Sequence, residues 1–215
     1  MADYRAIKGI NIQSVSSDNA TVQLGDIWYN STLGKIRVGK TQAAAWASGG
    51  NLNDRRYAMA GAGTQTAAWI AAGYAPSGPG VTVNHEQYDG SSWTEGANVN
   101  QARFHMYSGV GSTTAGLFAG GNTDPGFTAN AEKWNGTSWT EVNNLGTARY
   151  TLGGLGTSTA AVVMGGQVSP HEHSEEYDGT NWAEGNDING RKQWIQGCGI
   201  QTAGLIAGGG TPSAS

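Results

Sequence analysis

The sequence has 215 residues, a net charge of −4 and an unusual composition, with 35 Gly, 8 Trp, 8 Tyr and only 3 Phe. So much glycine without a three-residue period excludes collagen, and regularly spaced aromatic residues argue against a disordered chain. The acidic balance argues against a nucleic-acid partner, which requires a basic face. We expect a soluble protein, because no long apolar run could enter a membrane, residues 1–5 do not open a signal peptide, and the lone Cys198 cannot form an intrachain disulfide.

The N-terminal region predicts a hairpin preceded by an attachment segment. Residues 1–24 mix polar and isolated apolar positions, with a loop expected over 14–19, and we assign them to attachment. Residues 26–30 and 35–38 alternate around a short turn that contains Gly34. Such alternation around a glycine-containing turn is typical of a β-hairpin, which we predict over residues 26–38.

Residues 34–41 also spell G-x-x-x-x-G-K-T, the pattern of a phosphate-binding loop. That chemistry needs a strand before the loop and a helix after it. Here the internal residues 35–38 alternate like a strand, and Gly49-Gly50 would end any following helix early. We therefore interpret the motif as part of the hairpin.

From Trp46 onwards the chain repeats itself. An aromatic residue and a Trp stand five positions apart in the pairs Tyr88/Trp93, Trp134/Trp139 and Tyr177/Trp182. A doublet of small residues keeps the same interval, at 72–73, 120–121, 165–166 and 208–209. A period of about 40–50 residues is the signature of a repeat architecture.

One repeat predicts four short strands. Residues 107–111 and 115–119 form a glycine-rich pair around a turn at 112–114, and the second of them is apolar or small throughout, as in a buried strand. Residues 132–134 and 138–140 then flank Asn135-Gly136, a dipeptide suited to hairpin turns, and Asp-Gly recurs at 89–90 and 178–179. No segment has a sustained helical period. The fold class is therefore all-β, with four strands in each unit of about 45 residues.

The Gly-Gly doublet that ends one strand, followed by an aromatic residue and a Trp around the next hairpin, resembles the kelch repeat of β-propellers. The gap between the aromatic residue and the Trp is narrower here than is usual in kelch units. The resemblance implies a kelch-like β-propeller of about four blades over residues 25–215, each blade a four-stranded antiparallel sheet. Only three outer hairpins follow Gly73, so we expect the 26–38 hairpin, from the same chain or from a neighbouring subunit, to complete the last blade, with Trp28 and Tyr29 beside Leu205 and Ile206.

A second resemblance is carried by residues 25–30 (Gly-Asp-Ile-Trp-Tyr-Asn) and 86–93. These stretches look like virion proteins of marine tailed bacteriophages. The resemblance implies a structural protein of the tail fibre or appendage type, located in the virion and assembled in the host cytoplasm. Its partners would be other virion proteins, with a host-surface glycan and a second copy of the chain as further candidates.

An arginine precedes the glycine-rich strands of each unit, and these residues are candidates for ligand binding. The series is Arg56, Arg103, Arg149 and Arg191. An aromatic residue follows directly in three units, and the last has Lys192-Gln193-Trp194 instead. A ring of guanidinium groups could hold an anionic sugar or a carboxylate. Each unit also offers a glutamate two residues before its hairpin aromatic, at 86, 132 and 175, so Arg–Glu pairs that tie the units together are the alternative, which we favour.

Further candidates lie in the loops that differ most between units, 74–84, 122–130 and 167–174, because variable loops on a repeated scaffold are where recognition usually resides. From them we select Asn122, Asp124, His171 and His173 as ligand-binding residues. If extended, His171 and His173 would face one side like metal ligands, but no further ligand is identifiable. The hairpin Tyr and Trp residues could stack on sugars, although we expect them to hold the sheets together.

The sequence offers little for catalysis. It contains no nucleophile elbow and no Cys/His pair, and its acidic residues recur with the repeat. Some kelch-type folds are copper enzymes, but their ligands have no counterpart here, and fold alone does not establish an activity. We predict a non-enzymatic protein without a cofactor or metal, which presents loops to a host surface or to neighbouring proteins. The alternative is a soluble, lectin-like carbohydrate-binding propeller.

Overall fold

The computed structural model describes residues 12–17, 26–38 and 49–211. The chain divides into two compact units, Met1–Ser48 and Gly49–Ser215. Every regular element in the described residues is a strand, which confirms the all-β fold class. The described part of the chain holds no helix with the length and hydrophobicity that crossing a bilayer requires.

The N-terminal unit contains a three-stranded sheet of β1 (Gln13–Val15), β2 (Ile27–Asn30) and β3 (Lys35–Val38), in that order. β2 and β3 are antiparallel around a turn at 31–34, so the predicted hairpin is confirmed. Gly34 adopts a φ of 65° in this turn. β1 pairs with β2 in parallel, and the expected loop over 14–19 is therefore wrong for Ser14 and Val15. Trp46 and residues 39–41 of the G-K-T motif lie outside the described residues.

The second unit contains three four-stranded antiparallel sheets and one final pair of strands. Sheet 1 consists of β4 (Ala60–Thr64), β5 (Ala67–Ala71), β8 (His85–Tyr88) and β9 (Trp93–Glu95). The chain between β5 and β8 forms a small separate hairpin of β6 (Tyr74–Ala75) and β7 (Gly80–Val81). Sheet 2 consists of β10 (Val110–Ser112), β11 (Ala115–Ala119), β12 (Ala131–Trp134) and β13 (Trp139–Val142). Sheet 3 consists of β14 (Gly153–Gly156), β15 (Ala161–Met164), β16 (Ser174–Tyr177) and β17 (Trp182–Glu184), and the terminal pair is β18 (Gln193–Ile200) and β19 (Ala203–Gly210).

The first strands of consecutive sheets contact one another through glycine. β4 contacts β10, β10 contacts β14, and β14 contacts β18. A Cβ atom on Gly109 would lie 2.5 Å from the backbone nitrogen of Gly61, and one on Gly154 would lie 2.7 Å from the Cα of Ser108. Since real Cβ atoms do not approach backbone so closely, glycine is required where these strands meet.

The predicted strand over 107–111 is partly wrong, because the regular strand begins only at Val110. Tyr107 instead forms a parallel bridge to Gly153 of the next sheet. The Ser108 hydroxyl donates to the carbonyl of Ala119 and accepts from its N–H, at 2.8 and 3.2 Å. This hydroxyl therefore takes the place of a backbone partner where the chain passes between sheets.

The hairpin aromatics fill the spaces between sheets. Trp139 of sheet 2 packs against Trp69 of sheet 1 with ring centroids 5.2 Å apart, and Trp134 lies 4.4 Å from the ring of His85. Tyr177 of sheet 3 is buried in a cluster with Val110 and Leu117 of sheet 2. Burying an aromatic side chain removes about 150–250 Å² from water, so these residues supply much of the apolar area that a glycine-rich chain otherwise lacks.

The outer hairpins of the three sheets have turns of the same type. Asp89, Asn135 and Asp178 each accept hydrogen bonds through the side chain from the backbone N–H groups two and three residues later. The glycines that follow them, at 90, 136 and 179, have φ angles of 99°, 94° and 97°. The Asp-Gly and Asn-Gly signals are thus confirmed as hairpin turns, with an Asx bond as an additional support.

Candidate functional site

The repeating arginines lie in buried ion pairs with the glutamates of their own sheets. The N···O distances are 2.8 Å for Arg56–Glu86, 2.6 Å for Arg103–Glu132 and 2.8 Å for Arg149–Glu175. Burial lowers the pKa of each of these three arginines, and the facing glutamate opposes that shift. In two of the three, the guanidinium group also donates to carbonyl oxygens, from Arg103 to Gly120 and Asn130 and from Arg149 to Gly165 and His173.

The backbone of the same arginines joins neighbouring sheets. The carbonyl of Arg103 accepts from the N–H of Gly73, which follows the second strand of sheet 1, at 2.8 Å. The carbonyl of Arg149 accepts in the same way from Gly121 of sheet 2 at 3.0 Å. Each residue therefore holds the preceding sheet through its main chain and its own sheet through its side chain.

The fourth repeat departs from this pattern. There the carbonyl of Lys192, and not that of Arg191, accepts from the N–H of Gly166 at 2.8 Å. A positive φ angle confirms that Lys192 aligns with Arg56, Arg103 and Arg149, because the residue two positions after each of the four has one. These residues are Ala58, His105, Thr151 and Trp194, with φ between 54° and 60°. Lys192 thus occupies the arginine position, and Arg191 lies beside Glu172, with 4.0 Å between Nε and Oε1.

The sequence left two roles open for the four arginines. The side chains of Arg56, Arg103 and Arg149 are at most 1% exposed and face glutamates, so the Arg–Glu pairs exist, but each joins two residues of one unit and not two neighbouring units. A guanidinium held in this way has its charge neutralised inside the protein. The geometry favours the structural role for these three, and ligand binding by Arg191 stays a prediction.

A row of aromatic rings lies where these arginines meet the variable loops. The neighbouring ring centroids are 5.4 Å apart for Tyr57–Tyr74, 5.6 Å for Tyr74–Phe104, 4.3 Å for Phe104–His105, 6.0 Å for His105–Tyr150 and 5.8 Å for Tyr150–Phe127. Tyr57 and Phe127, at its two ends, are 52% and 48% exposed. We call these six residues the aromatic row.

The aromatic row combines residues that the sequence indicated with residues that it did not. Tyr57, Phe104 and Tyr150 follow the repeating arginines directly. Tyr74 and Phe127 come from the variable loops, and backbone bridges bring those loops to the row, from Tyr57 to Tyr74 and from Phe104 to Asn122. Aromatic faces flanked by polar groups are the usual elements of a site that binds sugars or extended peptide surfaces.

Asn122 and Asp124 shape the loop that presents Phe127. Asn122 forms bridges to Phe104 and Phe127, and its side-chain oxygen accepts from the N–H of Asp124 at 2.9 Å. The N–H of Thr123 donates to the carbonyl of Gly126 and closes the turn. The exposed Asp124 therefore lies close in sequence to the end of the aromatic row. A ligand-binding role for Asn122 and Asp124 stays a prediction.

The two histidines of the 171–173 cluster have different surroundings. His171 is buried, and its Nδ1 lies 3.0 Å from the carbonyl oxygen of Gly166. His173 is 3.6 Å from Glu184, and the ligand atoms of His173, Glu184 and Asp187 lie within 4.8 Å of one another. These carboxylates could not be predicted as partners of His173, because it is the fold that brings Glu184 at the end of β17 and Asp187 in the following loop close to it. Both are exposed, and the three residues form a surface group capable of holding a cation.

His85 is a buried titratable group that belongs to the core. Its ring packs edge-on against Trp134 and Trp139. Burial lowers the pKa of His85 to about 4, and the charge of Arg56 acts in the same direction. A neutral imidazole between two indoles serves packing.

The chain matches no protein-family model and no curated protein sequence.

Proposed function

We propose that this protein is a non-enzymatic virion protein of the tail fibre or appendage type, in which a kelch-like β-propeller of about four blades presents recognition loops. One observation carries the recognition role: the aromatic row has two exposed ends, and three of its residues directly follow the arginines of the buried Arg–Glu pairs. A rigid frame beneath exposed aromatic faces is suited to binding, because little conformational entropy is lost when the partner arrives.

The surface chemistry favours a neutral glycan over an anionic partner. The loops around the aromatic row are rich in Gly, Pro, Asn and Thr. Three of the neighbouring guanidinium groups are neutralised by glutamates. Aromatic faces can cover the apolar face of a sugar ring while amide and hydroxyl groups bind its hydroxyls. We propose neither nucleic-acid binding nor membrane insertion for this protein.

The assignment to a particle rests on the resemblance of residues 25–30 and 86–93 to phage virion proteins. A mass-spectrometric inventory of purified particles tests it, since a virion component is present at a fixed number of copies per particle. Detection at a constant ratio to the major structural proteins is the expected result. Absence from particles, together with secretion or release of the free protein, would favour the alternative of a soluble lectin-like propeller.

The aromatic row supports a soluble lectin-like propeller as strongly as it supports host attachment, because both functions require a glycan-binding face. A glycan array probed with the free protein and with a multivalent display separates them. A soluble lectin should bind measurably as the free protein. An attachment protein should bind only when many copies are displayed together.

A further inference from the structure

The terminal pair β18–β19 is incomplete by the standard of the other sheets. It has two strands among the described residues, where sheets 1, 2 and 3 have four. β19 is eight residues long and carries no charged residue. The outermost strands of the other sheets are short, and each carries an exposed glutamate, namely Glu95 in β9, Glu141 in β13 and Glu184 in β17. Such features protect an edge from pairing, and β19 lacks them.

Large apolar side chains on the terminal pair face solvent. Leu205 is 65% exposed and Ile200 is 54% exposed. A long, flat, apolar edge strand is a template for another strand.

The three complete sheets define what pairs next to β19. Positions are counted back from the glycine in second position of each small-residue doublet, which is Gly73, Gly121 or Gly166. The third strand places a glutamate opposite the residue three before that glycine, in the pairs Ile70–Glu86, Phe118–Glu132 and Val163–Glu175. It places an aromatic residue opposite the residue five before that glycine, in the pairs Ala68–Tyr88, Gly116–Trp134 and Ala161–Tyr177. In the terminal pair the corresponding positions are Ile206 and Gly204. The missing strand thus has the pattern carboxylate-x-aromatic.

A cavity lies where that aromatic side chain would go. Its volume is about 260 Å³, and its lining includes Leu155 and Val162 of sheet 3 with Gly204 and Ile206 of β19. In the preceding interface Tyr177 packs on Val110 and Leu117, which correspond to Leu155 and Val162 by strand register. The space that Tyr177 fills between sheets 2 and 3 therefore remains as a cavity between sheet 3 and the terminal pair.

The side chain of Lys192 supplies a positive charge for the carboxylate of the missing strand. Lys192 occupies the position from which Arg103 and Arg149 reach the glutamates of their sheets. A glutamate opposite Ile206 would lie in the same relation to Lys192 as Glu132 does to Arg103. Charge complementarity therefore agrees with the register and with the cavity.

The N-terminal hairpin fits this template poorly. Asp26-Ile27-Trp28 has the carboxylate-x-aromatic spacing, but it is one residue out of register with the turn. The side chain of Asn30 accepts from the N–H of Leu33, as Asn135 does in its own turn, so Tyr29 takes the aromatic position and Ile27 the position of the glutamate. Within its own unit β2 is paired on both edges, by β1 and β3, so β2 does not match the missing strand.

We propose that the edge of β19 and the adjoining cavity form an acceptor site for a β-hairpin of a partner protein with the pattern carboxylate-x-aromatic. The donor backbone extends the sheet beside β19, the aromatic side chain enters the cavity, and the carboxylate pairs with Lys192. This site is separate from the aromatic row, so it stands whether or not the row binds glycans.

A peptide of residues 130–142, the β12–β13 hairpin of this protein, is the probe. Labelled at its end and titrated with the full-length protein, it should give saturable fluorescence anisotropy. Trp134→Ala in the peptide should weaken binding at least tenfold, which corresponds to about 1.4 kcal/mol. Leu205→Lys in the protein should abolish binding. Ile36→Lys is the matched control, because Ile36 is also an exposed strand residue, at 51%, and should change nothing.

A double-mutant cycle tests the ion pair. Lys192→Ala in the protein and Glu132→Gln in the peptide should each weaken binding, and the second change should have little effect once the first is present. Lys133→Gln in the peptide should act independently of Lys192. The proposal is overturned if the folded protein fails to bind the peptide, if a scrambled peptide binds equally, or if the free protein is a dimer whose hydrogen-exchange protection covers β19, since a second copy would then be the occupant.

Discussion

Arg103 and Glu132 face each other at 2.6 Å with both side chains almost completely removed from solvent. Removing one member of such a pair leaves an uncompensated buried charge, which typically costs about 3–5 kcal/mol. The three buried pairs therefore account for the arginine and the glutamate that recur at the same positions in three repeats of a chain with few charged residues.

Arg103→Ala should lower the melting temperature by roughly 10 °C, given about 2–4 °C per kcal/mol for a domain of this size. Arg55→Ala is the control, because Arg55 is an exposed arginine next to the buried Arg56, and it should shift the transition by no more than about 1 °C. Any ligand affinity of the folded Arg103 variant should be unchanged. A variant that keeps its melting temperature and loses ligand binding would instead support the ligand ring.

Acid should destabilise the protein through His85. An unfolded histidine titrates near pH 6.5, whereas the folded pKa of His85 is lowered to about 4. Between these values the unfolded state binds a proton that the folded state does not, so stability falls as the pH is lowered through this window and is unaffected by His85 above it. The full loss is about 3 kcal/mol, at about 1.4 kcal/mol for each pKa unit.

Urea unfolding at several pH values between 7.5 and 4.5 measures this dependence. His85→Phe, which keeps an aromatic ring against Trp134 and Trp139, should remove most of it. A part should remain, because burial also lowers the pKa of His105. An unchanged slope in His85→Phe would show that other groups govern the acid response.

Gly109, the residue before β10, lies directly against Gly61 of β4. Gly109→Ala should cost about 3 kcal/mol, the upper part of the usual range for overpacking, because its Cβ would lie 2.5 Å from the backbone of Gly61. Gly78→Ala is the control, since its nearest neighbour would be a side-chain carbon at 3.8 Å. Equal melting temperatures for the two variants would mean that the strands can separate without loss.

Much of this architecture could be predicted from the sequence because it depends on local chemistry that repeats. Glycine after Asp89 and Asn135 sets the hairpin turns, and the common interval of arginine and glutamate predicted their pairing. The small hairpin β6–β7 and the approach of Glu184 to His173 could not be predicted, since both depend on how non-repeating loops fold back.

The replacement of arginine by Lys192 was present in the spacing, but the residue type pointed to its neighbour. Arg103 and Arg149 stand ten residues after a repeat Trp, and the residue ten after Trp182 is Lys192, whereas Arg191 is nine after it. The backbone agrees with the exact interval, because the residue with the positive φ angle, Trp194, fixes which carbonyl meets Gly166. Register in a sheet is set by such backbone contacts, so position decides over residue type.

The aromatic row should carry the recognition energy. Tyr57→Ala and Phe127→Ala remove its exposed ends, and each should reduce binding of a multivalent display to cells or glycans by about tenfold, as loss of an anchoring aromatic side chain commonly does. Both side chains are about half exposed, so the melting temperature should hardly change. Ile200→Ser, an exposed apolar residue away from the row, is the control. Binding that survives the loss of both rings would place recognition elsewhere.

The three variable loops should be dispensable for folding and necessary for attachment. Replacing 74–84, 122–130 and 167–174 with short Gly-Ser turns leaves the remaining strands and the Arg–Glu pairs in place, although it removes the β6–β7 hairpin, Ser174 at the start of β16, and Tyr74 and Phe127 of the aromatic row. Weak contacts gain from multiple copies, so the free protein should bind glycans weakly and a multivalent display should bind avidly. The loop-replaced display should lose that avidity while its circular dichroism remains that of a β protein. If it still adheres to cells, or if particles carrying it attach normally, a purely structural role in the particle is the better account.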